Sequence, residues 1–299
     1  MTSTSSPDAR GPEIRRREQP WHGALRRSVR ARGVPRARVV GAIVRRDFLI
    51  KRSYRAAIAL DVFHGVLTLM IYFFISRFFS DPDTAALNDA PSYFAFAATG
   101  ILTGTMIQSG VAEVGRRLRE EQLTGTLEAL AAQPLTSAEM CLGLVGFPFS
   151  FALVRALLYL AIASTAMDLD LLGVSWLGLL VVLASAAAAF AALGMVAATI
   201  ILVVKRGDLM TSMLVTIMTV LSGAVFPIST LPEWLEPLAR ALPTRFAFDG
   251  VRDAIFSGEG WALDALVLLA VAGAGIPLAA RLFGLALESA QRAGSLAEY

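Results

Sequence analysis

This 299-residue chain has one cysteine, Cys141, two histidines and two lysines. A lone thiol excludes an internal disulfide and any cysteine cluster that would hold a metal within one chain. His22 and His64 belong to no His-Glu-x-x-His pattern, so a zinc site of that kind is missing. Lys51 follows Ile50 and Lys205 follows Val204, so neither sits in the Gly-Lys-Ser/Thr sequence whose lysine and hydroxyl reach nucleotide phosphates and magnesium. The chain itself is therefore expected to bind no cofactor. There is no G-x-S-x-G nucleophile elbow, and apart from Trp21 the N-terminal bases lack the aromatic interleaving of a nucleic-acid binder. Charge is scarce as well. Charged residues make up 17% against 56% hydrophobic, with a mean hydropathy of +0.61, more apolar than a soluble domain of this size carries.

What is present is a series of apolar runs long enough to cross roughly 30 Å of hydrocarbon, where a backbone satisfies itself by being helical. Six spans are expected, near 57–79, 93–114, 140–166, 174–204, 209–227 and 261–285, which makes the chain an all-α integral membrane protein. Fifteen of the 27 basic residues precede Ala56, against only Asp8, Glu13, Glu18 and Asp47. By the positive-inside rule this arm stays in the cytoplasm, and six crossings return the C-terminal tail, 286–299, to the same side of the cell membrane. Arg116, Arg117, Arg119, Lys205 and Arg206 fall on expected inner loops, while the outer loop 80–92 carries Asp81, Asp83 and Asp89 and no base. The first apolar run begins more than fifty residues in and is long enough to span, so it does not read as a cleavable signal.

Residues 1–36 mix Ser, Pro, Gly and Arg without apolar periodicity and read as a disordered basic arm near anionic headgroups. Over 37–55, Val39, Ile43, Ile50 and Tyr54 recur at helical spacing opposite Arg38, Arg45, Arg46 and Arg52, the pattern of a helix lying in the inner interface. Two residues break it, Asp47 on the apolar side and Leu49 on the polar one. Gly100 and Gly104 form a GxxxG, and Ala184 to Ala192 a small-residue surface; both permit close helix approach, within one subunit or between two.

Ionisable groups inside spans are costly and mark candidate pathways. Asp61 and His64, three apart, share a face of the first span, and Arg155 lies deep in the third, where a guanidinium needs a carboxylate, a carbonyl or a wet cavity. Between the fifth and sixth spans, over 228–260, prolines at 232, 237 and 243 follow Pro227 and forbid a continuous crossing, yet Trp234, Leu238, Phe246, Phe248 and Val251 keep apolar faces. Two short helices re-entering from the outer surface fit that pattern, capping or gating something.

The stretch from Leu118 to Gly143 is an acidic, turn-punctuated island between apolar runs. Leu123, Leu127 and Leu130 make a short stripe that suits a groove on a partner, and carboxylates flank it. Gly125 weakens the helix locally and Pro134 ends it.

Taken in order, Glu120-Glu121-x-x-x-Gly125-Thr126-Leu127-Glu128, Pro134, Gly143, then Phe226-Pro227, Leu231-Pro232-x-Trp234-Leu235, Pro243 and Asp249-x-x-Arg252 resemble the permease subunits of type-2 ATP-binding-cassette exporters over roughly 37–285. The resemblance implies a coupling loop at 115–139 in which Glu120, Glu121, Gly125, Thr126, Leu127 and Glu128 meet a separate ATPase. It implies an outer gate hairpin with Pro227, Pro232, Trp234, Pro243, Asp249 and Arg252. It also implies a second permease copy or paralogue, ATP and magnesium on the ATPase, membrane lipid around the spans, and no nucleic acid. Asp61, His64 and Arg155 are candidate pathway residues. The work implied is export of an amphipathic or lipid-linked substrate by alternating access. Thr244-Arg245-Phe246 departs from the family, where an aromatic or polar residue is more usual than arginine, and the basic arm is additional. Two other readings stay open: a non-transporting membrane anchor for an ATPase, and an intramembrane enzyme built on Asp61, His64 and Arg155.

Overall fold

A computed structural model describes residues 36–78, 87, 90–124, 137–204 and 207–292. Within them the chain is helix, turn and loop throughout, without a strand. Helix α1, Arg36–Ser53, ends where Tyr54 leaves helical geometry at φ −98° and ψ 55°, and α2, Arg55–Ser76, starts at once. Helix α3, Tyr93–Ile107, is capped by the Ser92 hydroxyl on the Ala95 N–H. It runs through a π-helical turn, Gln108–Glu113, into α4, Val114–Leu123. Then come α5, Ser137–Ala166, α6, Trp176–Val204, and α7, Gly207–Leu221. A 3₁₀ turn at Ile228–Thr230 leads to α8, Glu236–Ala241, and α9, Pro243–Arg252, whose last turn widens into a π turn at Asp253–Ser257. Helix α10, Trp261–Arg292, closes the described chain.

Five of these helical stretches are long and apolar enough to cross a membrane: Arg55–Ser76, Tyr93–Glu121, Leu142–Ala166, Trp176–Ile201 and Trp261–Leu287. The sequence reading expected a further span over 209–227. There α7 runs as helix only as far as Leu221, its 15 residues rising about 22 Å. The cause is local. Gly223 sits at φ +80°, a conformation that L side chains rarely adopt, and Pro227 follows with no N–H to extend a helix.

The centre of the bundle is α3 and α6. Of the apolar window in Tyr93–Glu121, 78% is buried, against 11% for α2, whose large side chains point away from the bundle. Small residues set the close approaches. Gly194 of α6 lies against the Gly110 carbonyl of the π turn, where an added Cβ would fall 1.9 Å from the oxygen. Gly275 of α10 rests on Ala192, so the alanine-rich face of α6 receives α10. Gly100 packs on the Ala224 carbonyl and Gly104 faces Thr219, so the GxxxG serves packing within one chain. At the other end, Gly143 and Gly146, three apart on α5, seat Ile43 and Val44 of α1.

Candidate functional site: one helix joining an ionic face, a buried arginine and a proline-rich hairpin

Asp47, which broke the amphipathic pattern of α1, is 4% exposed and accepts from Arg117 of α4 at 2.6 Å. Arg46 donates from Nε to Asp47 at 3.0 Å and from Nη2 to Glu121 at 2.7 Å. Burial works against the Arg46 charge, but the Glu121 and Asp47 carboxylates outweigh it and raise its pKa above the ordinary guanidinium value. Lys51 reaches Glu113 at 3.8 Å, and Arg117 lies 4.9 Å from the Phe147 ring centre while approaching Glu113 at 3.9 Å. These contacts tie α1 to the end of the π turn and to α4 over about two turns, from Glu113 to Glu121. The residue types explain it: a buried carboxylate is tolerable only when charged donors surround it, and here two guanidiniums do.

Of the expected coupling residues, Glu120 pairs with Arg116 on the exposed side of α4 and Glu121 pairs with Arg46. Leu123 is exposed at the end of the helix. Gly125, Thr126, Leu127 and Glu128, with Pro134, lie outside the described residues.

Midway along the bundle, Arg155 of α5 is 9% exposed. It donates to the Asp61 carboxylate at 2.7 Å, to the Ser109 hydroxyl at 3.0 Å and to the Thr105 carbonyl at 3.3 Å. Among the described residues its Nε has no hydrogen-bond partner. Ser109 and Thr105 lie at the π turn and the residues just before it, where the widened helix accommodates the guanidinium. Tyr159, one turn on from Arg155, donates to the Asp61 carbonyl at 3.3 Å. His64 stands on an exposed part of α2, so the group that meets Asp61 is Arg155 and not its sequence neighbour.

At the far end of α3 the hairpin is anchored by Arg252, 2% exposed. Its Nη2 donates to the carbonyls of Gly223, Ala224 and Phe96 at 2.7, 3.3 and 3.4 Å. Its guanidinium carbon lies 3.7 Å from the Phe96 ring centre, and Asp249 approaches Nη1 at 4.0 Å. Burial lowers its pKa to about 10, with Asp249 and Asp253 opposing, so it stays charged at neutral pH. Asp249 also accepts from Arg245 at 2.8 Å. Pro243 occupies the first turn of α9, where a missing N–H is harmless. The Pro232 carbonyl caps the turn before α8 through Leu235 and Glu236, and Pro227 accepts from the Thr230 hydroxyl. Trp234 is 77% exposed at the tip.

A contact that sequence reasoning did not find joins the buried hydroxyls of Ser222 and Thr244, which tie the end of α7 to the start of α9. Nothing in either local pattern announces it. All three sites meet one continuous helix. From Phe96 to Glu121 is 25 positions, about 37 Å at helical rise.

A family model described as "ABC-2 type transporter" matches residues 38–256, from α1 to the π turn that ends the hairpin. The chain belongs to this family. It is similar to "Nodulation protein J" of Sinorhizobium fredii (strain NBRC 101917 / NGR234), 30% identical over 192 residues, 61% of this chain and 71% of that protein. It is also similar to "Nodulation protein J" of Rhizobium leguminosarum bv. viciae, 30% identical over 171 residues, 55% of this chain and 63% of the relative. The chain is thus a multi-pass ABC-2 permease, a transporter component of the kind that works with a partner ATPase. The matched stretch takes in the ionic face, the buried arginine and the hairpin of this permease.

Proposed function

We propose that this permease exports an amphipathic or lipid-linked substrate from the cell by alternating access, driven by a separate ATPase that binds ATP and magnesium. Two permeases, identical or paralogous, face each other in the cell membrane, each held by one ATPase. The arm and α1 lie on the cytoplasmic side, α7 and the extended stretch after it complete a fifth crossing, and α10 returns the tail to the cytoplasm. The hairpin of α8 and α9 dips back from the outer surface.

The observation that carries this reading is the ionic weld of α1 to α4 through Asp47, Arg117, Arg46 and Glu121. A push received by residues 120–128 then moves α1 and α4 as one body. The same helix passes Arg155 and ends beneath Arg252, so a displacement at the inner end reaches the hairpin without an intervening loop. Close packing makes such a rod stiff.

Co-purification tests the proposal. The intact chain should retain an ATPase subunit through detergent extraction, and the complex should hydrolyse ATP faster when a transported substrate is present. A chain that never retains an ATPase overturns the reading. A stable complex whose hydrolysis ignores every substrate tried would make the permease a membrane anchor instead.

A further inference from the structure

Helix α3 and the π turn after it are enclosed on most sides, yet one strip of them is open. From Phe94 to Val111 every residue is buried except Ile101, Gly104, Thr105 and Gln108. Spacings of three, four and seven put these four on one face. Of the four, Gln108 is the fully exposed one. Its side-chain amide, both donor and acceptor, meets no hydrogen-bond partner among the described residues, although it lies inside a span. The next residue of the π turn, Ser109, points the other way, to Arg155.

The strip has a polar neighbour on each side. Gly100 meets Ala224, Gly104 meets Thr219 and Gly115 has Thr211 beside it, so α7 runs antiparallel to this helix and the level of Gln108 falls between Thr219 and Thr211. Thr216 is exposed at that level, and its hydroxyl donates to the Ser212 carbonyl, which leaves its acceptor side open. On the other side the Thr105 carbonyl accepts from Arg155, which donates in turn to one oxygen of Asp61. The second Asp61 oxygen accepts from nothing among the described residues, and that side chain is 38% exposed.

We infer that this strip binds the uncharged, hydroxyl-bearing headgroup of the exported amphiphile, and that Gln108 is the residue that selects it. The inference rests on the export reading given above and narrows its substrate class. An amide left bare in hydrocarbon is costly, so a polar occupant is favoured over an acyl chain. Hydroxyls match what the strip offers: Gln108 gives and takes a hydrogen bond, while Thr216 and Asp61 each take one. An anionic headgroup matches it poorly, because the charge that faces outward is the Asp61 carboxylate. The Arg155 guanidinium lies buried behind it with both Nη atoms engaged.

Native mass spectrometry of the full chain in a polyoxyethylene detergent, which carries no sugar, tests the inference. No ATPase is present, so a failure here is separate from a failure of coupling. Glucosyl diacylglycerol, diacylglycerol and phosphatidic acid of matched chains are titrated separately. The wild-type chain should retain the glucosyl lipid about ten-fold better than either of the others, the worth of one or two hydrogen bonds. Gln108→Leu, at an exposed position where the fold loses no hydrogen bond, should lower that retention about ten-fold. Gln108→Asn keeps the amide and should lose less. Equal retention of glucosyl and plain diacylglycerol, an unchanged preference in Gln108→Leu, or a stronger hold on phosphatidic acid overturns the proposal. Displacement by millimolar glucose would also overturn it, showing a site for a soluble polyol. So would a disulfide between two copies of a Cys141→Ser, Gln108→Cys chain under mild oxidation, since the second permease would then cover the strip.

Discussion

Arg155 and Asp61, ninety-four positions apart in the chain, meet at 2.7 Å between α5 and α2, and α2 has few other buried contacts to hold it. The pair is unequal. Arg155 is buried with an unpartnered Nε, whereas the Asp61 side chain is 38% exposed. Neutralising the carboxylate therefore leaves the more deeply buried charge without its counter-ion. Asp61→Asn should destabilise the chain by about 1–3 kcal/mol, since Arg155 loses its counter-ion but keeps the Ser109 hydroxyl and the Thr105 carbonyl. Arg155→Met together with Asp61→Asn should recover most of the loss. Thermal unfolding in detergent reads both, and an Asp61→Asn chain as stable as wild type would show that the contact does not hold α2.

The ionic face predicts non-additivity. Asp47→Ala leaves Arg117 with only its longer approach to Glu113, and Arg117→Ala leaves Asp47 with Arg46 alone, so each single change loses the same contact. In a double-mutant cycle the two should couple by about 1–3 kcal/mol. Additive losses would mean that the Asp47–Arg117 contact does not join α1 to α4.

The two acids ahead of the undescribed loop should behave differently. Glu120 pairs with Arg116 where both side chains are more than half exposed, a contact worth little to stability. Glu121 holds Arg46 and, through it, α1. Glu120→Ala should leave thermal stability within about 0.5 kcal/mol of wild type. Glu121→Ala should lower both stability and substrate-stimulated ATP turnover in the permease–ATPase complex. Unchanged turnover in a chain carrying Glu120→Ala, Glu121→Ala and Glu128→Ala would remove this segment from the coupling path.

The sequence showed the spans through the length of their apolar runs and the hairpin through its prolines, because both are local properties. The end of α7 was not legible: the run of apolar residues continues past Leu221, and the left-handed backbone at Gly223 stops the helix ahead of Pro227. Asp47 was visible as a misfit in α1, but its reason lies on α4, seventy positions away. Similarly, periodicity offered Asp61 a neighbour in His64, one turn on, while packing supplied Arg155. A pattern along one helix reports which face is apolar; it does not report which charge on another helix comes to meet an exception.

Arg252 donates from one nitrogen to three carbonyls, of which that of Phe96 also accepts from the Thr99 hydroxyl. Arg252→Lys keeps the charge but shortens the side chain and loses the planar guanidinium that lies on the Phe96 ring, so its ammonium does not reach the place of Nη2 among Gly223, Ala224 and Phe96. Leaving buried carbonyls short of a donor costs about 1–3 kcal/mol each when no water enters. The hairpin should then loosen before the bundle does, seen as faster proteolysis between Pro227 and Gly260 at a temperature where the spans remain folded. Uniform loss of stability across the chain would instead make Arg252 a part of the general core.

Glycine substitutions separate close packing from helix propensity. At Gly100 an added Cβ would fall 1.7 Å from the Ala224 carbonyl oxygen, a backbone atom that cannot rotate away, so α3 and the stretch beneath the hairpin must part. Gly100→Ala should cost about 1–3 kcal/mol, the range for overpacking a filled interior. Gly41 of α1 has nothing within 4 Å of such a Cβ. There alanine only removes the backbone freedom that glycine carries into the unfolded chain, and Gly41→Ala should be neutral or stabilising by up to about 1 kcal/mol. Both changes add one methyl group to a helix, so opposite signs in thermal unfolding would isolate the Gly100 contact as the cause. A Gly100→Ala chain as stable as wild type would mean that α3 and residue 224 are not pressed together in the folded protein.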